Sequence, residues 1–387
     1  MNRLALSIAL FSLAIVPLVS LDAGLAESRA DDAADCNKGR GDTQIRGCSQ
    51  IIESGRLFGK PISRQRLAIT HANRGLAYDE KGDYDRAIED YNTAIKLNPK
   101  NAWAYKNRGI AYANKGDLDR AIEDYNSAIK LNPRYTKAYY NRGSAYDDKG
   151  EFDRAIQDYG RAIRLNPKDA WAYNNRGVAY RKKGEFDRAI QDYDKAIRLD
   201  PKDAEVYNNR GVAYAKKGEL DRAIQDYDKA VGLDPKDAGV YKNRGAAYGS
   251  KGEYDRAIAD YDEAIRLNPR IANAYYNRGL AYAKKGEFDR AIADFDTAIK
   301  LNPRYTKSYY NRGLAYAKMG KFDRAIADFD AAIKLNPKYT KAYSNRGTAY
   351  REKGNKDRAI ADYRKALALN PSDELARNNL KSLGETP

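Results

Sequence analysis

Apolar residues recur at helical spacing through most of this chain, and equivalent positions return every 34 residues. In residues 170–203, Tyr173, Gly177 and Tyr180 follow one another at intervals of four and three, the spacing of one helix face. A second apolar stripe runs from Ala189 to Ile197. The pattern predicts two helices in each 34-residue segment, joined by a turn.

Glycine and proline residues mark where these helices end. Gly184 is placed for the left-handed residue that follows a helix, and Pro201 cannot continue the hydrogen bonds of the second helix. Asp187 puts a negative charge in the first turn of the second helix, where the helix dipole favours it. Prolines recur at positions 99, 133, 167, 201, 235, 269, 303, 337 and 371. A fixed period of this length predicts a solenoid of stacked helical hairpins.

Nine units fit this period between residues 68 and 373 without an insertion or a deletion. Their predicted bounds are 68–101, 102–135, 136–169, 170–203, 204–237, 238–271, 272–305, 306–339 and 340–373. We expect residues 27–67 to form an N-terminal cap and residues 374–387 to begin with a capping helix. Caps are expected because a terminal unit otherwise exposes its stacking face.

The repeat resembles the tetratricopeptide repeat family. The signature of that family is an aromatic residue at positions four, eleven and twenty-four, Gly at eight, Ala at twenty and twenty-seven, and Pro at thirty-two. All nine units fill these positions, except that His71 stands at position four of the first unit. The resemblance implies an all-α fold, an α-solenoid with a right-handed superhelix of nine hairpins whose first helices line the inner surface. It also implies a protein-binding scaffold.

Residues 1–26 differ from the rest of the chain. Arg3 precedes an apolar run from Leu4 to Val19, and small residues occupy Gly24 and Ala26. This layout predicts a secretory signal peptide. Retention as a membrane anchor is the alternative, although the apolar run is short for a spanning helix. We therefore expect a periplasmic or secreted bacterial protein with no integral membrane segment after cleavage.

The two cysteines, Cys36 and Cys48, both lie between the signal segment and the repeats. An even number of cysteines in an exported chain favours a disulfide. Metal ligation is the weaker alternative because His71 is the only histidine and lies far away in sequence. Catalytic thiol chemistry lacks a nearby base. We expect a disulfide in the cap, and no metal or cofactor.

Two charged positions recur in every unit. Position seven is arginine throughout: Arg74, Arg108, Arg142, Arg176, Arg210, Arg244, Arg278, Arg312 and Arg346. Position twenty-three is aspartate throughout, from Asp90 to Asp362. We hypothesise that the two residues pair between packed helices, since a partly buried arginine needs a partner. A row of arginines for phosphate binding is the rival interpretation.

Position six is asparagine in every unit: Asn73, Asn107, Asn141, Asn175, Asn209, Asn243, Asn277, Asn311 and Asn345. Resemblance to the family implies that this position faces a ligand in the groove. An amide both donates and accepts hydrogen bonds, so a row of asparagines can pair with an extended peptide backbone. Recent duplication of the repeats is the alternative explanation.

Other residues at the implied groove positions vary along the chain. The early part is acidic at Asp79, Glu80, Asp147 and Asp148. The later part is basic at Arg181, Lys182, Lys216, Lys284, Lys307, Lys318 and Lys341. Aromatic candidates for anchors are Trp103, Trp171, Tyr140, Tyr276 and Tyr310. The gradient predicts an extended partner with acidic character, although a solvated charged face is the alternative for any single lysine.

The net charge of +16 favours anionic partners. Export argues for an acidic protein or an anionic envelope surface rather than nucleic acid. We expect no enzymatic activity, because one histidine cannot build a metal cluster and the recurrent glycines serve helix packing and helix ends. The sequence favours a scaffold that binds a protein or peptide in its groove. Binding of an anionic envelope polymer or membrane surface is the alternative.

Overall fold

A computed structural model describes residues 23–386 of the chain. The predicted signal segment lies almost entirely outside these residues, so the signal peptide and its cleavage remain predictions. The chain divides into two compact units, one up to residue 167 and one from residue 168 onwards. The two units are described separately.

The first unit contains eight helices and one short β-hairpin within its described residues. Its elements are α1 Ala23–Lys38, α2 Asp42–Ser54, β1 Arg56–Leu57, β2 Lys60–Pro61, α3 Arg64–Glu80, α4 Tyr84–Leu97, α5 Ala102–Asn114, α6 Leu118–Leu131, α7 Thr136–Asp148 and α8 Phe152–Leu165. The two strands are antiparallel, and Arg56 lies opposite Pro61.

The second unit is helical throughout its described residues. Its helices are α9 Ala170–Lys182, α10 Phe186–Leu199, α11 Ala204–Lys217, α12 Leu220–Leu233, α13 Ala238–Lys251, α14 Tyr254–Leu267, α15 Ala272–Lys284, α16 Phe288–Leu301, α17 Thr306–Lys318, α18 Phe322–Leu335, α19 Thr340–Glu352, α20 Lys356–Leu369 and α21 Glu374–Ser382. In both units successive helices pack in pairs, which confirms the all-α fold of stacked hairpins.

Close packing of a glycine against an aromatic ring holds each hairpin together. In the fourth repeat the ring of Tyr193 lies on the backbone of Gly177, where a Cβ atom would come within 2.7 Å of a ring carbon. Ala189 and Ala196 are fully buried beside this contact. The small residues therefore let the two helices approach closely around one large ring.

Between the two helices of a hairpin, the chain turns at a glycine in the left-handed conformation. Gly184, for example, has a φ angle of 81°. A side chain at this φ angle is strained, so glycine is the suitable residue. The next helix of some repeats is capped by an aspartate, as where Asp83 accepts a hydrogen bond from the backbone N–H of Arg86.

The hypothesised arginine–aspartate pairs are present in all nine repeats. In the fourth repeat both hydrogen bonds from Arg176 to Asp192 measure 2.7 Å. The aspartates are buried and the arginines are only about one-fifth exposed. In the first repeat, His71 adds a bond of 2.8 Å to Asp90.

Seven of these arginines also donate a hydrogen bond to the second helix of the preceding repeat, a contact that the sequence reasoning missed. Arg108 donates to Asn92 at 2.5 Å and Arg210 donates to Asp194 at 2.6 Å. Each such arginine thus ties together the two helices of its own hairpin and the hairpin before it. This bond repeats at fixed sequence spacing, so it stabilises the stacking of neighbouring repeats.

The disulfide predicted in the cap is present and joins Cys36 of α1 to Cys48 of α2. Both cysteines are buried with Ile51, next to Leu57 of the β-hairpin. Helix α2 in turn packs on α3, the first helix of the first repeat. Between α2 and the first repeat the chain forms the β1–β2 hairpin, which the sequence did not predict.

At the other end, α21 covers the last repeat as expected of a cap. Leu380 and Ala376 are fully buried and belong to one cluster with Tyr363 of α20. Asp373 caps the helix by accepting from the backbone N–H of Ala376 at 3.0 Å. Leu375 stays 44% exposed, so only one face of α21 serves the packing.

Candidate functional site

Within each unit, the first helices of successive repeats lie side by side. Helix α5 contacts α3 and α7 in the first unit, and α9 to α19 form a similar row in the second. We call this row of first helices the first-helix face of each unit. The groove residues predicted from the sequence are at positions two, five, six, twelve and thirteen of these helices.

Several of the repeated asparagines are bonded to the preceding repeat. The Nδ2 group of Asn209 donates to Oδ1 of Asn174 at 3.1 Å. Asn243 donates in the same way to Asn208 at 3.0 Å. The acceptor in both cases is the residue at position five of the preceding first helix. These amides therefore already serve the contact between repeats.

Tyrosine takes the place of that acceptor towards the end of the chain. Asn311 and Asn345 donate to the hydroxyl oxygens of Tyr276 and Tyr310, in each case at 3.0 Å. The same two amides also donate to backbone carbonyls of their own helix, at 2.9 and 2.8 Å. Both donor hydrogens of these asparagines are consequently used within the fold.

At the start of the chain, the cap supplies the acceptors for the first asparagine. Asn73 donates to the side-chain oxygen of Asn37 at 3.2 Å and to the carbonyl of Cys36 at 3.4 Å. The disulfide-linked helix α1 thereby lies against the first repeat. Asn175, at the beginning of the second unit, is half-buried.

Three asparagines have no hydrogen-bond partner among the described residues: Asn107, Asn141 and Asn277. The reason lies one repeat earlier, where position five holds a residue that cannot accept a hydrogen bond. These residues are Ala72, Lys106 and Lys242, respectively. The nine asparagines are thus not equivalent, and the residue at position five of the preceding repeat decides which amides remain without a hydrogen-bond partner. Of the three, Asn107 is buried, whereas Asn141 and Asn277 are half-buried.

The predicted aromatic anchors also differ from one another. Tyr276 and Tyr310 are half-buried, with ring centroids 4.9 Å from those of Tyr305 and Tyr339. Burial raises the pKa of Tyr276 to about 12. These two tyrosines pack within the fold as well as accepting from asparagine.

The remaining anchors lie in the earlier repeats. Tyr140 is half-buried, 5.7 Å from Tyr159. Trp103 is half-buried. Its ring centroid lies 6.4 Å from that of Tyr91, and the two ring planes are inclined by 75°. Trp171, in contrast, is 53% exposed.

Five of the predicted lysines are exposed on the second unit and have neither an ion pair nor a side-chain hydrogen bond: Lys216, Lys284, Lys307, Lys318 and Lys341. Lys182 is exposed too, and Arg181 is half-buried. Directly beside them are lysines that do form ion pairs. Lys217 lies 2.7 Å from Asp187, and Lys285 lies 2.6 Å from Asp255. The predicted groove positions of this unit therefore include five exposed lysines whose charge is not balanced by an ion pair.

Two charged residues of the first unit, Asp79 and Lys106, influence each other's charge, which the sequence reasoning did not predict. Burial raises the pKa of the Asp79 carboxyl to about 6. Burial, together with the positive charge of Lys137, lowers the pKa of the Lys106 ammonium to about 8. Lys106 is only 9% exposed and has no hydrogen-bond acceptor among the described residues. The sequence feature that could have revealed Lys106 is its place at position five of the second repeat, directly before Asn107.

Residues 23–386 hold no group of three or more His, Cys, Asp and Glu side chains that could bind a metal ion. None of the helices in this part of the chain is both long enough and apolar enough to cross a membrane.

Known repeat families match most of the chain. Models described as TPR repeat match residues 75–116, 143–184, 179–218, 247–286 and 279–320. Models described as tetratricopeptide repeat match residues 102–135, 125–157, 204–237 and 310–374. The chain therefore belongs to the tetratricopeptide repeat family, whose members serve in general as non-catalytic scaffolds for protein interactions.

Several solved structures are similar to parts of this chain, and two of those given below, with TM-scores above 0.5, share its fold. A tetratricopeptide repeat protein from Parabacteroides merdae is 24% identical, covers 65% of this chain and 98% of its own, and has a TM-score of 0.53. The Cut9–Hcn1 hetero-tetramer of APC/C is 17% identical over 88% of this chain and 82% of its own, with a TM-score of 0.52. MamA is 35% identical over 42% of this chain and 96% of its own, with a TM-score of 0.40. No curated protein matches the chain.

Proposed function

We propose that this protein is an exported, non-catalytic scaffold that binds an extended segment of a partner protein on the first-helix face. The observation that carries the proposal is the contrast between neighbouring lysines of the second unit. Lys217 and Lys285 are neutralised by aspartates, whereas Lys216 and Lys284 are exposed without a counter-ion. Unpaired charges at the groove positions are available to a ligand.

The sign of these charges supports a partner with acidic character. Lys307, Lys318 and Lys341 extend the same basic surface along the later repeats. Asn277, which lies between Lys216 and Lys284 in sequence, adds an amide without an internal partner. An extended acidic segment would place carboxylates against the lysines and backbone groups against the free amide.

Export is supported by the disulfide between Cys36 and Cys48, because such bonds persist in oxidising compartments. The disulfide fixes the cap that supplies acceptors to Asn73 of the first repeat. Location in the bacterial periplasm or outside the cell is therefore part of the proposal, as is the signal peptide.

Binding of an anionic polymer or membrane surface is the second candidate, and the net charge of +16 favours it. Two variants with the same change in net charge separate the candidates. The groove variant replaces Lys216, Lys284 and Lys318 with Gln. The matched control replaces Lys217, Lys251 and Lys285, which are ion-paired on the same unit.

The experiment captures partners of the purified mature chain from envelope extract, identifies the proteins by mass spectrometry, and then measures affinity for the recovered protein. We expect the groove variant to lose at least about tenfold in affinity, whereas the control retains it, because three unpaired charges contribute more than three internally paired ones. Equal losses in both variants, with a steep dependence on salt, would instead support binding through the overall positive field.

A further inference from the structure

The tip of the β1–β2 hairpin holds a large apolar residue in a backbone conformation that such residues rarely adopt. Phe58 has a φ angle of 50°, in the left-handed region, and is the single non-glycine residue with a positive φ angle among residues 23–386. With Gly59, whose φ angle is 76°, it forms the two-residue turn between the strands. Asn, Asp or Gly usually stands first in such turns because these residues tolerate the left-handed conformation. The turn itself therefore gives no reason for a phenylalanine at this position.

Phe58 is also exposed to solvent. Its exposed fraction of 56% is the largest among the exposed large apolar residues of the described chain. The neighbouring Leu57 is half-buried against Ile51 and the disulfide, so β1 is anchored on the cap while Phe58 projects into solvent. Backbone strain of this kind clusters at functional sites, and aromatic rings are enriched at binding hot spots. The hairpin tip is therefore a candidate for contact with another molecule.

A cavity of about 430 Å³ lies beside this ring. Ile51 and Leu57 contribute apolar atoms to its lining, and Phe58 is itself one of the lining residues. A protruding ring and a cavity with apolar surface thus occupy the same patch of the molecule. A two-fold symmetric contact requires this arrangement, because each copy presents the same patch and has to fill the cavity of the other.

Two exposed residues of opposite charge, Glu53 and Arg56, also line the cavity. Neither side chain forms an ion pair or a hydrogen bond among the described residues. Exposed charges elsewhere in the first unit do form such pairs, as Lys115 does with Asp85. In a two-fold contact, Glu53 of one copy would face Arg56 of the other, so the patch is complementary to itself in charge as well as in shape.

The net charge of the cap also favours contact between two copies at this place. Residues 31–63, from the middle of α1 to the residue before α3, contain five acidic and five basic side chains and are neutral as a whole. The full chain has a net charge of +16, so two copies repel each other wherever their basic surfaces meet. Two copies can meet at the cap without that repulsion, whereas an acidic partner would find no excess of positive charge here.

We propose that the hairpin patch, formed by Ile51, Glu53, Arg56, Leu57 and Phe58, is a self-association surface that binds a second copy of this chain. Phe58 of each copy enters the cavity of the other, and Glu53 pairs with Arg56 across the two-fold axis. Because each copy keeps its own first-helix face, the dimer makes the protein bivalent, yet the proposal does not depend on what that face binds.

Sedimentation equilibrium of the mature chain measures the association directly. We expect a reversible dimer, and Phe58→Asn should weaken it at least about tenfold, because each copy loses a buried phenyl ring. Asparagine suits the left-handed turn better than phenylalanine, so the melting temperature of the dilute variant should be preserved or raised. Leu375→Asn is the matched control and should leave the dissociation constant unchanged, since Leu375 is 44% exposed on α21 and lies outside the hairpin patch.

A charge-exchange experiment tests whether the occupant is a second copy. Glu53→Arg gives the patch two positive charges, and Arg56→Glu gives it two negative charges. Each variant alone should therefore self-associate at least about tenfold more weakly than the parent, because like charges then face each other. An equimolar mixture of the two variants should form a dimer with one copy of each, because opposite charges face each other again.

The proposal is overturned if the parent chain stays monomeric at millimolar concentration, a result that would leave the hairpin patch to a different protein. It also fails if the folded Phe58→Asn variant dimerises like the parent, or if the two charge variants associate no better when mixed than when alone.

Discussion

Asn107 in the first unit and Asn345 in the second occupy the same position of the repeat but have opposite surroundings. Asn345 donates to Tyr310 and to the carbonyl of Lys341, whereas the buried Nδ2 group of Asn107 has no partner. The difference arises one repeat earlier, where tyrosine stands in one case and Ala72 in the other. A residue that recurs in every repeat is therefore not the same site in every repeat.

The comparison requires that the scaffold around the two regions be alike. Arg108 with Asp124 in the first unit and Arg278 with Asp294 in the second form the same buried pair. Asp124→Ala should lower the free energy of unfolding by about 3 kcal/mol, because it leaves an arginine without its charged partner. Asp294→Ala should cost about 1 kcal/mol less, since Arg278 retains the charged Asp262 at 2.5 Å.

Urea denaturation followed by circular dichroism measures both losses. Neither variant should change the affinity for the partner protein recovered from envelope extract once the variant is folded. An Asp124→Ala protein as stable as the parent would show that the pair contributes nothing and that the two regions do not share a common scaffold.

Glycine at position eight provides the second test of this shared scaffold. A Cβ atom at Gly109 would lie 2.7 Å from the ring of Tyr125, and one at Gly313 would lie 2.8 Å from the ring of Phe329. Gly109→Ala and Gly313→Ala should each destabilise the protein by about 1–3 kcal/mol through overpacking. Gly232→Ala is the control, because nothing lies within 4 Å of that position.

Differential scanning calorimetry should therefore show lower melting temperatures for both position-eight variants. The Gly232→Ala control should gain about 0.5 kcal/mol instead, since alanine favours a helix over glycine. A large difference between Gly109→Ala and Gly313→Ala would indicate that the hairpins of the two units are packed differently.

Replacing the two asparagines tests the comparison itself. Asn345→Ala should lower the free energy of unfolding by about 1 kcal/mol, because it removes hydrogen bonds and leaves the Tyr310 hydroxyl without a donor. Asn107→Leu should be neutral or stabilising, because it removes a buried donor that has no acceptor. Equal destabilisation by both replacements in thermal denaturation would contradict the distinction between hydrogen-bonded and unpaired amides.

The smallest effect is expected at a gap in the exposed ion pairs between repeats. Lys115 pairs with Asp85 in the first unit, and Lys285 pairs with Asp255 in the second. In the eighth repeat Met319 takes the place of the lysine, and Asp289 of the seventh repeat stands at the position of its aspartate partner. Because the Lys321 ammonium lies 3.9 Å from the Met319 sulfur, the change is made together with Lys321→Glu, the residue found at Glu287 in the seventh repeat. Met319→Lys in the Lys321→Glu background should stabilise the protein by about 0.2–1 kcal/mol at low salt, and the gain should disappear in molar salt. A gain that does not depend on salt would exclude an ion pair.

Much of the fold was predictable because the residues that determine each hairpin lie within one repeat. The intervals between Gly177, Tyr193 and Pro201 fix the lengths of two helices and the contact between them, and the arginine–aspartate pairs followed from two charged positions that recur together. The disulfide followed from two cysteines in a short segment. The helices, the charged pairs and the disulfide all depend on residues that lie close together in sequence.

The candidate site was less predictable because it depends on contacts between repeats. The sequence reasoning treated the nine asparagines as one row and did not compare each with position five of the preceding repeat. It therefore placed Asn209 and Asn107 in one class, although only the first is bonded to a neighbour. Lys106 was overlooked for the same reason, since its burial results from stacking on adjacent helices.

The most direct test of the central distinction is to observe the asparagine side-chain amides by nuclear magnetic resonance while a terminally blocked decapeptide of alternating Glu and Ala is added as a model of the acidic partner segment. The account predicts that the signals of Asn141 and Asn277 shift, because these half-buried amides have no hydrogen-bond partner among the described residues. The signals of Asn311 and Asn345, bonded to Tyr276 and Tyr310, should stay in place. Equal shifts at all nine asparagines, or shifts confined to the bonded ones, would contradict it.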